Sequence, residues 1–168
     1  MKLLDTLKAE GRIEEARQHG LLQLIEHPQH AELHYEVAGL HDMLGREAQA
    51  IPLYQKAIAL GLSEASLRGA WLGLGSSYRG TGQYAEALAA FKQAEQGRRN
   101  EIQDLFALTG GRFPELMAEC LGDMDVTPAQ TKEKIKAELG KPAGETGPTG
   151  PAAHIHVGNG NLVGDSIR

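Results

Sequence analysis

The sequence predicts an all-α fold, a solenoid of stacked helix–turn–helix units, and three observations carry that prediction. Gly11, Gly45 and Gly82 recur at intervals of 34 and 37 residues, each followed five residues later by an alanine: Ala16, Ala50 and Ala87. Tyr54 and Ala57 recur 37 residues on as Phe91 and Ala94. "GREAQAIPLYQKAIALG" places Ala50, Leu53, Tyr54, Ala57, Ile58 and Leu60 on one helical face. "GQYAEALAAFKQAEQG" does the same with Tyr84, Ala87, Leu88, Phe91 and Ala94. A glycine turn between two amphipathic helices at a period near 34 marks an array of hairpins. The alanines are small where two helices approach closely, and the aromatics fill the space beside them. One hairpin cannot bury its apolar face alone, so the units must stack.

The most informative element is "WLGLGSSY", where Trp71, Leu74, Gly75 and Tyr78 have the spacing of the first helix of a tetratricopeptide repeat. Ala87, Phe91 and Ala94 match its second helix, so the chain resembles the tetratricopeptide repeat family. "AIPLYQKAIALGL" and "LGLGSSYRGTGQYAEAL" are similar to a bacterial branch of it, group 5. The resemblance covers residues 1–121 and is densest over 31–96. It implies repeats over residues 1–126. Residues 1–30 form a partial unit with a shortened first helix ending at Pro28, 31–64 and 68–101 form full units, and 102–122 a degenerate one.

The remaining elements follow from local chemistry. Pro52 lies inside the second helix of unit 31–64, where it removes a backbone hydrogen bond and predicts a kink or a shifted start. Ala65 to Leu67 stand as extra residues between two units. "IQDLFALTGGRFPELMAECL" predicts a short helix, a Gly-Gly turn and a second helix from near Pro114. "VTPAQTKEKIKAELG" predicts a capping helix over 127–140. It begins at Thr127-Pro128 with Gln130 three residues after Thr127, and it stops at Gly140. Its polar exterior suits the end of a solenoid.

Composition narrows the function. The chain has 168 residues, 41% hydrophobic and 23% charged, an ordinary globular balance for one domain. A net charge of −5 argues against nucleic acid, because the basic spots at Arg98-Arg99 and at Lys132, Lys134 and Lys136 are diluted by acids. "MKLLDTLKAEGR" lacks the apolar core of a secretory leader, and no run approaches the ~18 apolar residues of a membrane span. The single cysteine, Cys120, cannot form an internal disulfide and sits in a helical pattern as a small hydrophobe. A reducing cytoplasm is the expected compartment.

No catalytic constellation emerges. In "HPQHAELHYEVAGLH", His30 and His34 stand four residues apart, and His27, His41 or Asp42 offers a third metal ligand. Yet His34 and His41 occupy the places of Trp71 and Tyr78 in the next unit, which makes them packing residues, and no HExxH supplies a general base. "GLGSSY" lies within a helix and lacks the strand that a nucleophile elbow requires. "GTGQYAEA" follows a helix where a dinucleotide loop follows a strand. Neither an enzyme, a cofactor nor a metal site is expected.

The family resemblance places function on the concave face lined by the first helix of each unit. Carried over residue by residue, it assigns Glu32, Tyr35, Glu36, Gly39, Asp42 and Met43, then Gly69, Leu72, Gly73, Ser76, Arg79 and Gly80. The family's chaperone-binding branch clamps a terminal carboxylate with Lys and Asn. At those places this chain has Tyr35, Gly39, Leu72 and Ser76, so that activity is not implied. An apolar strip of Tyr35, Met43 and Leu72 beside Glu32, Glu36 and Asp42 suits a helical or extended peptide with apolar anchors and positive charge.

From Lys141 the composition shifts to glycine and proline, and "GETGPTGPA" predicts a flexible, extended linker. The closing "IHVGNGNLVG" resembles the RIP homotypic interaction motif: Ile155, Val157, Gly158 and Asn161 match it, and His156 stands where glutamine is usual. That resemblance implies in-register stacking, with β-branched residues in a dry interface and Asn ladders along the fibre. The expected function is therefore a protein-interaction adaptor binding a peptide in its groove. The alternative is a signalling adaptor whose residues 141–168 carry a homotypic cross-β motif, and a metal-binding helical protein is the third reading.

Overall fold

A computed structural model of the chain describes residues 2–141. The expected linker beyond Lys141 and the motif residues Ile155, His156, Val157, Gly158 and Asn161 lie outside the described residues. Within them run eight helices and no strand: α1 (Lys2–Ala9), α2 (Ile13–Glu26), α3 (Ala31–Met43), α4 (Glu47–Leu60), α5 (Glu64–Gly80), α6 (Tyr84–Ala107), α7 (Pro114–Gly122) and α8 (Pro128–Leu139). Each of α1 to α6 packs on its neighbour in sequence, α3 also reaches α5, and α6 carries both α7 and α8. This is the all-α helix–turn–helix solenoid expected from the repeats.

Three hairpins turn by the same device. Gly11, Gly45 and Gly82 have φ of +72°, +66° and +79°, the left-handed region that a side chain disfavours. The residue after each glycine donates its N–H back five residues: Arg12 to Leu7 at 2.9 Å, Arg46 to His41 at 2.9 Å, Gln83 to Tyr78 at 2.8 Å. That bond closes a Schellman motif and satisfies a carbonyl the helix end would leave unpaired. Five residues on, Ala16, Ala50 and Ala87 are buried. Their small side chains let the paired helices close together, and Gly75 goes further, since a Cβ there would stand 2.6 Å from the Phe91 ring.

Two boundaries differ from the sequence expectation. Ala65 to Leu67 belong to α5 rather than to a connection, because Ser63 caps the helix, its side chain accepting from the Ser66 N–H at 3.4 Å. The short helix expected after residue 101 is the continuation of α6, which runs unbroken for 24 residues to Ala107. No proline interrupts it, and Gly97 alone does not stop a helix with a buried face. Pro52 sits inside α4, whose start remains at Glu47. Pro52 and Ala48 are exposed, so the carbonyl that loses its partner faces solvent.

The apolar interior is a row of three clusters. The first joins Leu4, Leu7, Ala16, Leu24, Leu33, Val37 and Leu40, the second centres on Ala38, Tyr54, Ala70 and Leu74, and the third on Ile102, Phe106, Cys120 and Ile135. At the C-terminal end the predicted capping helix starts at Pro128 with a full capping box between Thr127 and Gln130.

Candidate partner-binding groove

Tyr35, Glu36, Gly39 and Met43 follow one face of α3 and, with Lys8 of α1 and Tyr54 of α4, line a shallow hollow. Lys8 pairs with Glu36 across it. The Tyr35 and Tyr54 rings lie 6.2 Å apart with planes tilted by 49°, a favourable aromatic arrangement. The Tyr35 hydroxyl fills the space where a side chain on Gly69 would stand, which brings α3 and α5 together. Burial, with Glu36 and Glu32 adding to it, pushes the Tyr35 phenol above its ordinary pKa, so it stays a neutral donor.

The acids of the groove are engaged by the protein itself. Asp42 Oδ2 accepts from the Tyr54 hydroxyl at 2.7 Å, and its Oδ1 accepts from the Ser77 hydroxyl at 2.7 Å. Asp42 thus joins α3, α4 and α5 rather than presenting an open charge. Burial first, then this hydrogen bond, drives the Tyr54 phenol far above its usual range. Glu32 accepts from the Ser63 N–H at 3.4 Å. Leu72, Ser76 and Arg79 stand exposed on α5 at spacings of four and three residues, a second row that does not line the hollow of Tyr35, Glu36 and Met43.

His30, His34 and His41 hold structural places. His30 Nδ1 accepts from the Leu33 N–H at 3.2 Å as the α3 cap, and His34 Nε2 lies 3.0 Å from the Pro28 carbonyl. His41 is buried with its Nδ1 unpartnered among the described residues. Burial, then Arg17 and Arg46, holds its pKa below the ordinary value. Among the described residues no group of three or more His, Cys, Asp or Glu is placed to hold a metal, and no helix is long and apolar enough to cross a membrane.

Sequence reasoning misses Lys8, Tyr54 and Ser77, the partners that discharge Glu36 and Asp42. Lys8 lies in α1, the first helix of the partial unit, where only its place in the repeat could have pointed to α3. Sequence reasoning also misses a hollow of about 440 Å³ on another side of the molecule, floored by Trp71 and Leu74 and flanked by Ile58 and Tyr78.

The family model described as "Tetratrico peptide repeat" matches residues 31–124, from the start of α3 to just past α7. No curated protein matches the chain.

Proposed function

The chain belongs to the tetratricopeptide repeat family, and from that premise we propose that it is a non-enzymatic cytoplasmic adaptor that binds a partner peptide on the side lined by α3 and α5. The observation that carries this reading is apolar surface left open on helices otherwise well packed: Met43 is 64% exposed and Leu72 44% exposed. A peptide with two apolar anchors would bury them, and Glu32, bonded to the neutral Ser63 N–H, favours positive charge beside the anchors. Asp42 contributes by holding α3 against α5. Anisotropy of labelled peptides bearing two aliphatic anchors, with and without lysines, tests the reading. Leu72→Asp or Met43→Asp is expected to weaken the lysine-bearing peptide about 10-fold, ~1.4 kcal/mol. Binding unchanged in both variants would remove the groove from consideration.

A second reading rests on the alternation of Ile155, Val157 and the Gly158–Asn161 turn: a signalling adaptor whose closing segment nucleates homotypic cross-β assembly. Thioflavin fluorescence of the full chain tests it. Assembly lost in the Val157→Asp, Gly158→Asp variant supports it, and a flat signal in the seeded wild type ends it.

A further inference from the structure

One face of α6 carries a furrow that neither reading uses. Its first section is the hollow floored by Trp71 and Leu74. The second shares Trp71 and Gln93 with it and runs past Leu67 to Glu64 and Glu101. The third starts at Glu64 and Glu101 and ends between Leu108 and the first turn of α8, at Pro128 and Lys132. Ala90, Gln93, Gly97, Glu101, Asp104 and Leu108 recur every three or four residues, so they share one helix face and the sections join end to end. The 24 residues of α6 make the furrow about 36 Å long. Leu72, Ser76 and Arg79 leave α5 on a different face.

We propose that this furrow docks residues 154–163 of the same chain. Reach and chemistry both support this occupant. Described structure stops at Lys141, one residue past the cap of α8, and the other end of α8 forms the furrow's mouth. Along that helix Lys141 is about 14 Å from Lys132, and Trp71, level with Gln93, is about 23 Å further along α6 from Leu108. Residues 142–153 span up to about 40 Å when extended, and residues 154–163 a further ~33 Å. The segment therefore reaches Trp71 in cis. Ile155, Val157, Leu162 and Val163 supply apolar side chains for Trp71, Leu67 and Leu108, while Gln93, Gln96 and Asn100 line the furrow's middle with amides suited to an extended backbone. Tethering holds the segment at a millimolar effective concentration, so an intrinsic dissociation constant of ~0.1 mM keeps the furrow occupied about 10:1. The docked segment is thereby withheld from other copies. The proposal depends on neither functional reading above.

The chain's single tryptophan, Trp71, lies in the furrow and reports on it. In the full-length protein, Ile155→Asp with Val157→Asp is expected to red-shift Trp71 emission and raise its quenching by acrylamide. The shift should be the same at low and high protein concentration. Far-UV circular dichroism checks that the helices persist. Ala89→Glu, at an exposed position on the furrow wall, should produce the same quenching and leave the tail substitutions without further effect. Three results overturn the proposal: Trp71 indifferent to the tail substitutions, an effect that appears only as concentration rises (a second copy's tail), or tail substitutions that act undiminished in the Ala89→Glu chain.

Discussion

Two mid-helix glycines are expected to respond oppositely to alanine. A Cβ on Gly73 would run into the Tyr54 hydroxyl and Cζ and stand 2.9 Å from Cε1. The ring cannot withdraw, because Tyr54 is 4% exposed and Asp42 holds its hydroxyl at 2.7 Å. Overpacking of ~1–3 kcal/mol then outweighs the ~0.5–1 kcal/mol that alanine adds to helix propensity. On Gly97 the nearest atom, Arg68 Cβ, is 4.0 Å away, so only the propensity gain remains. Gly73→Ala should lower the denaturant midpoint and Gly97→Ala raise it, and shifts of the same sign would refute the Tyr54 wedge. His41 adds a pH dependence. Burial, Arg17 and Arg46 depress its pKa against the weaker pull of Glu14 and Asp42, so the folded protein releases the proton more readily than the unfolded chain. Stability from this group is complete above the unfolded pKa of about 6.5 and declines as pH falls below it, until the folded pKa is passed. His41→Tyr, which installs the residue found 37 positions on at Tyr78, should lose less stability than wild type between neutral and mildly acidic pH. Equal losses would show that His41 is not the group responsible.

At the scale of helices, Arg98 decides whether the C-terminal pair stays attached. Arg98, 6% exposed as a residue, donates from its guanidinium to the carbonyls of Val126 at 2.8 Å, Asp123 at 3.1 Å, Cys120 at 3.2 Å and Leu121 at 3.3 Å. Of these, the Cys120 and Val126 carbonyls have no second donor among the described residues, while Leu121 also accepts from Arg99 at 3.3 Å and Asp123 from the Val126 N–H at 3.3 Å; Glu95 balances the charge at 2.6 Å. Arg98→Met strands the Cys120 and Val126 carbonyls, at ~1–3 kcal/mol each, while Glu95, part-exposed, keeps Arg99 as a partner. Hydrogen exchange should quicken in α7 and α8 and stay unchanged in α2 to α4; uniform quickening would contradict a local role. Arg98 also shows where legibility in the sequence stops. Ends set by local chemistry are legible: the glycine turns at 11, 45 and 82, the Thr127–Gln130 box, and Pro114 at the start of α7. The length of α6 and the early start of α5 are not, since packing rather than a breaker residue settles them. In the groove, helical register alone locates Met43 and Leu72 on the outside, but not the inward packing of Tyr35, whose hydroxyl fills the space at Gly69. The hydroxyls that claim Asp42 come from Tyr54 and Ser77, on two other helices. A pattern along α3 carries no trace of them, just as the charge of Arg98 gives no hint that it turns inward.

The molecule as a whole is nearly one-dimensional, and its cores are unequally coupled. Leu53 packs against both the first and the second apolar cluster, tying α1 to α5 into one body. The third cluster connects to that body through α6, the element that carries both α7 and α8. Its supports are also weaker: α7 has 9 residues, and Phe113, at its N-terminus, holds φ +63°, a left-handed conformation that costs a non-glycine residue ~1–2 kcal/mol. Arrays stabilised by neighbour contacts lose their weakest end first when one interface is poorer than the rest. The chain carries a reporter for each part, since its one cysteine, Cys120, is fully buried in the third cluster and its one tryptophan, Trp71, packs against the second. In a denaturant titration the Cys120 thiol should become reactive to a thiol reagent before Trp71 emission changes. Thr127→Ala, which removes the α8 cap and costs ~1 kcal/mol, should move the Cys120 transition down while leaving that of Trp71 in place. Coincident transitions that shift together in this variant would mean that α6 transmits stability along its whole length, and that the eight helices unfold as a single cooperative unit.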